Sequence, residues 1–274
     1  MSIIPFYYST HHRNFGDALN PLLFERVLGI RIKPENFKNA EMTGVGSLLQ
    51  KCTVSKYAIH SQINFFFKPQ LRVMSSGFIQ APPENHILAR KLDVKALRGH
   101  ESRRIIEKLT GSACDAAVGD GGMLYPLLLD KIPSKQYSVG IIPHYRDREL
   151  SSIKELSASL KNATVIDVLD EPLEVLKKIA SCSCILSSSL HGLIVSDAMG
   201  IPNRHVLFSS NITGNGFKFR DYYSVFTPEH TLPSLQTGEI LSVRFDRLFE
   251  NYLPRQQQIA ELQKKLLDAM KITG

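Results

Sequence analysis

The sequence has no apolar run that approaches the ~20 residues of a membrane-spanning helix. Its first residues, MSIIPFYYSTHH, have neither the basic start nor the long apolar core of a signal peptide, and they are more typical of a first strand. Cysteine is scarce and shows no metal-ligand spacing, because the four residues are scattered at Cys52, Cys114, Cys182 and Cys184. These absences predict a protein of the reducing cytoplasm with no bound metal.

Blocks of basic residues interleaved with aromatic ones are also missing. The 33 lysines and arginines exceed the 26 acidic residues and give a net charge of +7, but the positive charge is dispersed along the predicted helices. Such an excess permits an anionic small substrate or an anionic membrane surface as a partner, and nucleic acid is the weakest of the three candidates. A Walker-type Gly-Lys-Ser/Thr sequence and an acidic metal cage are absent too, which argues against phosphoryl transfer.

What the sequence does have is a regular alternation of strand and helix patterns, which predicts an α/β fold with mainly parallel sheets. In the first half the predicted strands and helices are Ile3–Tyr8, a helix from the N-cap Asn20 to Leu28, Ala58–Ile63, Leu71–Ser75, Val94–Leu97 and a helix over Glu101–Leu109. In the second half strands and helices alternate as Ser138–Ile142, Leu150–Leu160, Thr164–Val168, Pro172–Ala180, Cys182–Leu186, Leu190–Met199 and Arg204–Phe208.

This alternation predicts two Rossmann-like domains that face a cleft, with residues 1–133 in the first domain and residues 134–250 in the second. Ligands of such sheets lie beyond the carboxyl ends of the strands. Residues 251–274 are predicted to form a helix that packs on the body of the protein. The helix has one apolar face, formed by Ile259, Leu262, Leu266 and Met270.

The most informative stretch places a histidine where a strand turns into a helix. Either Ser188 or Ser189 is a natural N-cap, so His191 falls in the first helical turn. The unpaired backbone N–H groups and the helix dipole favour an anion at that point. The pattern therefore indicates a proton carrier beside an anion site, and the alternative is a polar residue in an exposed first turn.

Two segments of the first half suggest parts of the same site. In the loop Asn14-Phe15-Gly16-Asp17, Gly16 permits a close backbone approach and Asp17 lies just before a helix start, although a simple capping loop explains the pattern as well. Arg98 follows the strand Val94–Leu97, and its guanidinium suits a phosphate or carboxylate in the cleft; the alternative is a surface arginine.

Further polar segments follow other predicted strands. Gly44-Val45-Gly46-Ser47 is a weak signal for a phosphate loop, and Asp120-Gly121-Gly122 is typical of a flexible connection. His144 has the same position after its strand as His191 has in its own unit. Residues 209–216 indicate a mobile loop that leads to Lys218, Arg220 and Asp221, which suit a lid closing on an anion and a sugar. An exposed amphipathic strand or turn is the alternative.

Taken in order, these motifs resemble the polysaccharide pyruvyl transferase family over roughly residues 14–225: NFGD (14–17), GVGS (44–47), RGHES (98–102), GDGG (119–122), IPHY (142–145), SLHG…GIP (189–202) and KFRDYY (218–223). The resemblance implies transfer of pyruvate from phosphoenolpyruvate to two hydroxyls of one sugar, and a fold similar to GT-B glycosyltransferases. It makes Arg98, Leu190 and His191 donor-site residues. Many members have arginine where this chain has Ser189; Lys218, Arg220 and Arg146 are the candidate replacements.

The donor chemistry agrees with these residues. Phosphoenolpyruvate carries a phosphate and a carboxylate, and ketal formation needs at least one acid and one base. We expect His191 to be the first acid–base residue, with Asp17 and Asp221 as further candidates. The predicted substrate-binding residues are Asn14, Gly16, Arg98, His144, Ser189, Leu190, Lys218 and Arg220.

We expect no cofactor and no metal beyond the donor substrate itself. The acceptor is a sugar of a bacterial polysaccharide or of its lipid-linked precursor, which is compatible with peripheral contact at the cytoplasmic face of the inner membrane. Two alternatives stay open. One is a GT-B-type glycosyltransferase that uses a nucleotide sugar, and the other is a catalytically silent sugar- or lipid-carrier-binding subunit of polysaccharide assembly.

Overall fold

The structure is a computed structural model, and it describes residues 3–10, 14–59, 62, 68–210, 214–226, 234–242, 249 and 256–271. Two separate parallel sheets form its framework, one in each half of the chain. The first has the order β2-β1-β3-β5-β7-β8, and the second has the order β10-β9-β11-β12-β13. The predicted α/β fold with parallel sheets is confirmed.

The first sheet and a small antiparallel pair, β4 with β6, account for the strands of the first half. These strands are β1 (Ile4–Tyr7), β2 (Ile32–Pro34), β3 (Met42–Thr43), β4 (Thr53–Ser55), β5 (Leu71–Ser76), β6 (His86–Leu88), β7 (Leu92–Leu97) and β8 (Ala117–Val118). The strands of the second sheet are β9 (Tyr137–Ile142), β10 (Ala163–Val165), β11 (Cys182–Ser187), β12 (Asn203–Leu207) and β13 (Leu235–Gln236).

Helices connect most of the parallel strands, as parallel pairing requires. In the first half they are Phe15–Ala18, Asn20–Leu22, the π-helix Leu23–Val27, the 3₁₀ helix Leu49–Cys52, His100–Thr110 and the 3₁₀ helix Gly121–Leu128. In the second half they are Ser151–Ser159, Pro172–Ala180, Leu190–Ala198, Phe217–Tyr223, Thr237–Ser242 and Gln256–Met270.

One predicted strand is wrong. Where Ala58–Ile63 was expected to be extended, Ile59 and Gln62 are helical, and residues 60, 61 and 63 lie outside the described part of the chain. The backbone turns directly after β4, where the N–H of Ala58 donates to the carbonyl of Ser55 at 2.9 Å. The alternating pattern was misleading because Ile59 is 65% exposed and therefore does not face the core.

The predicted cap Asn20 is also wrong, because a helical turn already spans Phe15–Ala18 and is capped by Asn14, whose Oδ1 accepts from the N–H of Asp17. Asn20 lies inside the next helix and is fully buried. Its side-chain amide donates to the carbonyl of Val45 at 3.0 Å and accepts from the N–H of Val45 at 2.8 Å. A long-range pair with the glycine loop thus replaces the expected local cap.

The largest hydrophobic cluster takes side chains from both halves, including Phe24, Leu193 and Leu266. Smaller clusters pack on the first sheet and on the second sheet separately. The helix Phe217–Tyr223 contacts the helix His100–Thr110 of the first half, a contact that the predicted division did not include. The boundary between residues 133 and 134 stays a prediction.

The C-terminal helix Gln256–Met270 buries the predicted apolar face, Ile259, Leu262, Leu266 and Met270, against the edge of the first sheet and the 3₁₀ helix Gly121–Leu128. A side-chain bond from Gln263 to the carbonyl of Met123, at 2.8 Å, adds a polar tie. Over the described residues, no helix combines the length and the apolar character that crossing a membrane requires.

Candidate active site

A cavity of about 240 Å³ lies where the carboxyl ends of strands from both sheets meet. Its walls come mainly from residues that directly follow β1, β3, β5, β7, β8, β9, β10 and β11, as expected for parallel sheets. The lining residues are Tyr7, Ser9, Asn14, Asp17, Gly46, Ser47, Leu48, Lys51, Ile79, Arg98, Asp120, His144, Tyr145, Val168, Ser189, Leu190, His191 and Lys218.

His191 lies in the first turn of the helix Leu190–Ala198, for which Ser189 is the N-cap residue, as the sequence predicts. The Nε2 atom of His191 is buried and has no hydrogen-bond partner in the described part of the chain. Burial, together with the charges of Lys218 and Arg98, lowers the pKa of His191 to about 3. The imidazole is therefore uncharged at neutral pH.

Gly16 is needed for the position of the His191 ring. A Cβ atom at residue 16 would lie 1.9 Å from Nδ1 of His191, so only glycine fits there. Gly16 itself is not among the lining residues, and its carbonyl accepts a hydrogen bond from the hydroxyl of Tyr125 at 2.5 Å. The close backbone approach that the sequence predicts is thus an approach to the histidine.

Arg98 is fully buried at the end of β7 and is not a surface residue. Its Nε and Nη2 atoms both lie 2.9 Å from Oδ2 of Asp221. Nη1 donates to Oγ of Ser47 at 2.8 Å, and Nη2 also donates to the carbonyl of Phe78. A guanidinium has five N–H donors, and among the described residues these contacts leave one N–H of Nη1 without an assigned partner.

Asp221 has a different position from the one expected of a catalytic residue. Its carboxylate is fully buried and is not among the lining groups. Besides Arg98, it accepts from the N–H of Ser102 at 2.8 Å and from the hydroxyl of Ser102 at 2.6 Å. These bonds make Asp221 a positioning residue, which holds Arg98 and the start of the helix His100–Thr110.

Asp17 and Asn14 form a pair in the cavity wall. The amide of Asn14 donates to Oδ2 of Asp17 at 2.5 Å, while its Oδ1 accepts from the N–H of Asp17 at 3.2 Å. Burial raises the pKa of Asp17 to about 6, although the Asn14 bond and the charge of Lys218 oppose this shift. Asp17 is therefore placed to exchange a proton near neutral pH.

Lys218 lines the cavity from the helix Phe217–Tyr223, and the predicted lid is in this part a packed helix. Burial and the neighbouring charge of Arg98 lower the pKa of Lys218 to about 8. The next residue, Phe219, stacks on the ring of His205 with 3.9 Å between the centroids. Residues 211–213, at the middle of the predicted mobile loop, lie outside the described residues.

Of the three candidates that could replace the arginine absent at Ser189, Lys218 lines the cavity, whereas Arg146 and Arg220 are not lining residues. Arg220 is exposed and donates to the carbonyl of Asn215 at 2.7 Å. His144 does line the cavity, and its backbone N–H donates to Oγ of Ser188 at 2.8 Å.

Two charged lining residues were not among the predicted site residues. Lys51 follows β3 and the glycine loop, and its ammonium lies 5.4 Å from the ring centroid of Tyr7. Asp120 was assigned to a flexible connection, and that interpretation is wrong because Asp120 caps a buried 3₁₀ helix. The sequence signal that could have identified Asp120 as a site residue is its position just after β8. Gly121 and Gly122 hid that signal because two adjacent glycines are typical of a flexible connection. Within the described ranges, no group of three or more His, Cys, Asp and Glu side chains is arranged to hold a metal ion.

Fold and cavity together define an α/β protein in which cations and acid–base groups line one cavity. Residues 85–210 match the family described as polysaccharide pyruvyl transferase, a range that includes Arg98, Asp120, His144 and His191. This match falls on the family that the motifs of the chain resemble.

Individual relatives are distant. The chain is 27% identical to the succinoglycan biosynthesis protein ExoV of Rhizobium meliloti (strain 1021), over 80% of this chain and 63% of ExoV, so it spans less than two thirds of that relative. It is 29% identical to an uncharacterized protein of Acanthamoeba polyphaga mimivirus, over 78% of this chain and 71% of that protein. A solved structure of an uncharacterized Klebsiella pneumoniae protein aligns with a TM-score of 0.44 at 14% identity, covering 80% of this chain and 87% of that one.

Proposed function

We propose that this protein transfers the pyruvyl group of phosphoenolpyruvate to two hydroxyls of one sugar, in a polysaccharide or its lipid-linked precursor, and releases phosphate. The match of residues 85–210 to this family and the similarity to ExoV support a pyruvyl transferase of polysaccharide synthesis. The donor, the ketal product and the cytoplasmic location are parts of the proposal. It also includes two Rossmann-like domains in a GT-B-like arrangement, and peripheral contact with a membrane where the acceptor is lipid-linked.

The observation that carries the proposal is that cations and acid–base groups line the same small cavity. Arg98, Lys218 and Lys51 supply positive charge, and the first turn of the helix Leu190–Ala198 adds backbone N–H groups. The volume of about 240 Å³ lies below the ~300–1,000 Å³ usual for drug-sized ligands. A compact, doubly anionic donor fits this space better than a nucleotide sugar does.

Donor charge changes what His191 can do. With only protein groups around it, the imidazole is neutral because of burial and the cations nearby. A bound phosphate and carboxylate offset the charges of Lys218 and Arg98, and this raises the pKa of His191. His191 can then hold a proton next to the phosphate and stabilise the leaving group.

The reaction needs proton transfers in both directions. Protonation of the donor methylene makes a cationic carbon at C2, and the first sugar hydroxyl attacks C2 while losing its proton to a base. The C2–O bond to phosphate then breaks, the phosphate leaves with the bridging oxygen, and the second hydroxyl closes the ketal and loses its proton. Each acid or base contributes typically ~10²–10⁴ in rate. His191 and Asp17 both line the cavity in which these transfers would occur.

Thermal unfolding with candidate donors tests the assignment. Phosphoenolpyruvate at 100 times its dissociation constant should add about 2.7 kcal/mol of stability. UDP-glucose and other nucleotide sugars should give no such shift. Protection by a nucleotide sugar would instead identify a glycosyltransferase, and protection by neither donor would favour the catalytically silent binding subunit.

The His191→Ala variant tests the acid–base assignment. We expect turnover to fall by two or more orders of magnitude, the scale of lost acid–base catalysis, with little change in the melting temperature. Stability should survive because the buried Nε2 atom makes no hydrogen bond to any described residue that the substitution would remove. A fully active, folded variant would contradict the role of His191.

Phosphoenolpyruvate labelled with ¹⁸O at its bridging oxygen tests which bond of the donor breaks. We expect the label in the released phosphate, and label in the sugar would contradict the C–O cleavage.

A further inference from the structure

We propose that Asp120 is a further catalytic residue, the acid that protonates C3 of phosphoenolpyruvate and then accepts the proton of the first attacking sugar hydroxyl. This inference rests on the proposed function. The sequence analysis assigned Asp120 to a flexible connection and did not include it among the predicted site residues.

The geometry isolates one oxygen of the Asp120 carboxyl. The residue is 1% exposed, yet it lines the cavity. Its Oδ1 accepts from the N–H of Gly122 at 2.8 Å and caps the 3₁₀ helix Gly121–Leu128. Its Oδ2 is buried and has no hydrogen-bond partner among the described residues. Leaving such an atom unpaired destabilises the fold, and a substrate contact would recover that cost.

The backbone around Asp120 is held rigidly by Ser75. The hydroxyl of Ser75 donates to the carbonyl of Gly119 at 2.7 Å and accepts from the N–H of Gly121 at 2.5 Å, so it grips the residues on both sides. To do this, Ser75 adopts φ of 67° at a bulge in β5 and is fully buried. Strained backbone of this kind is destabilising and is concentrated at functional sites.

The charges suit an acid that works near neutral pH. Burial raises the pKa of Asp120 to about 6, with the nearby carboxylate of Asp221 adding to the shift and the cation of Arg98 opposing it. A group with a pKa near the working pH is the most effective proton donor and acceptor. His191, in contrast, is uncharged until donor charge offsets the cations around it, and the proton that it then holds serves the leaving phosphate.

Asp17 has a comparable pKa, and hydrogen bonds distinguish the two carboxyls. Oδ2 of Asp17 accepts from the amide of Asn14, a bond that favours the ionised form and a base role. Oδ2 of Asp120 faces no such donor. The structure thus separates a carboxylate held as acceptor from a carboxyl that is able to carry a proton.

In the proposed reaction Asp120 acts first as an acid and then as a base. Protonated Asp120 gives its proton to C3, the electrons of the C2–C3 double bond form the new C–H bond, and C2 becomes cationic. The first hydroxyl attacks C2, and its proton passes to the Asp120 carboxylate, which restores the acid. The C2–O bond to phosphate then breaks, and the phosphate leaves with its bridging oxygen and takes the proton held by His191. The second hydroxyl attacks the cationic C2 that remains, the second C–O bond of the ketal forms, and the hydroxyl proton passes to Asp17.

Deuterium transfer to C3 is the test. Wild type is incubated in D₂O with phosphoenolpyruvate, alone and with mixed methyl glycosides of glucose, galactose and mannose. The deuterium content of C3 in the donor and in the products is measured, with any pyruvate trapped as lactate by lactate dehydrogenase and NADH. Binding is measured separately by thermal protection. Asp120→Asn removes the proton carrier at almost constant shape, and Asp120→Ser keeps a helix-capping oxygen without an acid.

We expect both Asp120 variants to bind phosphoenolpyruvate within tenfold of wild type and to deuterate C3 at least 100-fold more slowly. Asp17→Asn is the matched control in the same cavity, and it should keep deuteration while ketal formation falls. C3 deuteration at the wild-type rate in a folded Asp120 variant would overturn this role and leave the proposed function standing. Wild type that binds phosphoenolpyruvate without deuterating C3 in any mixture would overturn it too. If wild type fails to bind phosphoenolpyruvate, the proposed function falls, and the role of Asp120 with it.

Discussion

At the scale of single residues, the position of the His191 ring depends on what its neighbours lack. The ring lies 6.2 Å from Phe15 and 6.3 Å from Tyr125, centroid to centroid, and it occupies the space that a side chain at Gly16 would fill. The absence of a Cβ atom at Gly16, in the helical turn Phe15–Ala18, therefore leaves room for a side chain that lies 175 positions further along the chain (191 − 16).

Gly16→Ala should displace the imidazole and reduce turnover by at least tenfold, because its Cβ would lie 1.9 Å from Nδ1 of His191. Gly238→Ala is the control, since a Cβ there meets nothing within 4 Å and the position is exposed in a helix. The control should be neutral or gain up to about 1 kcal/mol from helix propensity. Initial rates and melting temperatures of both variants decide the matter; equal rates for Gly16→Ala and wild type would contradict the steric argument.

Asp120 gives a pH-dependent stability prediction that does not require an activity assay. Its folded-state pKa of about 6 exceeds the reference value of 3.8, so between these pH values the folded protein keeps a proton that the unfolded chain has lost. The stability from Asp120 is therefore fully present below pH 3.8 and is lost as the pH rises through 6.

Asp120→Asn removes this dependence. The variant should be more stable than wild type at pH 7–8, by at most about 3 kcal/mol for a shift of about two pKa units. The advantage should shrink towards zero near pH 4. Urea unfolding at several pH values measures it, with the exposed Asp130→Asn substitution as the control. A difference that does not vary with pH would show that Asp120 is ionised throughout this range.

At the scale of elements, the pair of Arg98 and Asp221 joins the end of β7 to the helix Phe217–Tyr223. Both side chains are at most 1% exposed, and Ser102 completes the set of bonds from the next helix. The same helix carries Lys218 into the cavity and stacks Phe219 on His205. One buried ion pair thus holds two of the cations that the site needs.

Asp221→Ala should destabilise the protein by about 3–5 kcal/mol, since it leaves the buried guanidinium without its partner. Asp93→Ala is the matched control. It breaks the ion pairs of Asp93 with Arg72 and Lys95, which are partly exposed. That loss should cost ~1 kcal/mol or less. Midpoints of urea unfolding at unchanged slope give both values, and equal losses for the two variants would contradict the importance of burial.

At the scale of the whole molecule, a shared hydrophobic cluster couples the halves of the chain. Leu266 of the C-terminal helix is fully buried in this cluster and approaches Gly119, next to Asp120. The cluster also contains Phe24 and Leu193. We therefore expect the C-terminal helix to unfold together with the sheets rather than separately.

Leu266→Ala should lower the free energy of unfolding by about 2–5 kcal/mol, the usual cost of a cavity in a packed core. The exposed neighbour Lys265→Ala should change it by about 0.5 kcal/mol or less. Hydrogen exchange should show that Leu266→Ala lowers protection in β7 and in β11 alike. Loss of protection confined to the C-terminal helix would mean that the helix is an independent unit.

Local signals in the sequence determined much of this protein. Alternating strand and helix patterns predicted the parallel sheets, and the run from Ser188 to His191 predicted a histidine in a first helical turn. The motifs indicated the family as well. Such features depend on backbone geometry and on neighbours a few residues away, so they are legible in the order of residues alone.

Only the tertiary structure decided which polar groups face the cavity and which hold others in place. Asp221 pairs with Arg98, which lies 123 positions earlier in the chain. Asn20 bonds to the backbone of Val45, 25 positions away, and does not cap its own helix as the sequence predicted. Asp120 is buried, and Ser75, 45 positions earlier (120 − 75), bonds to the backbone on both sides of it. Burial and charge at these sites come from parts of the chain that only folding brings together, and a pKa or a hydrogen-bond partner depends on that surrounding space.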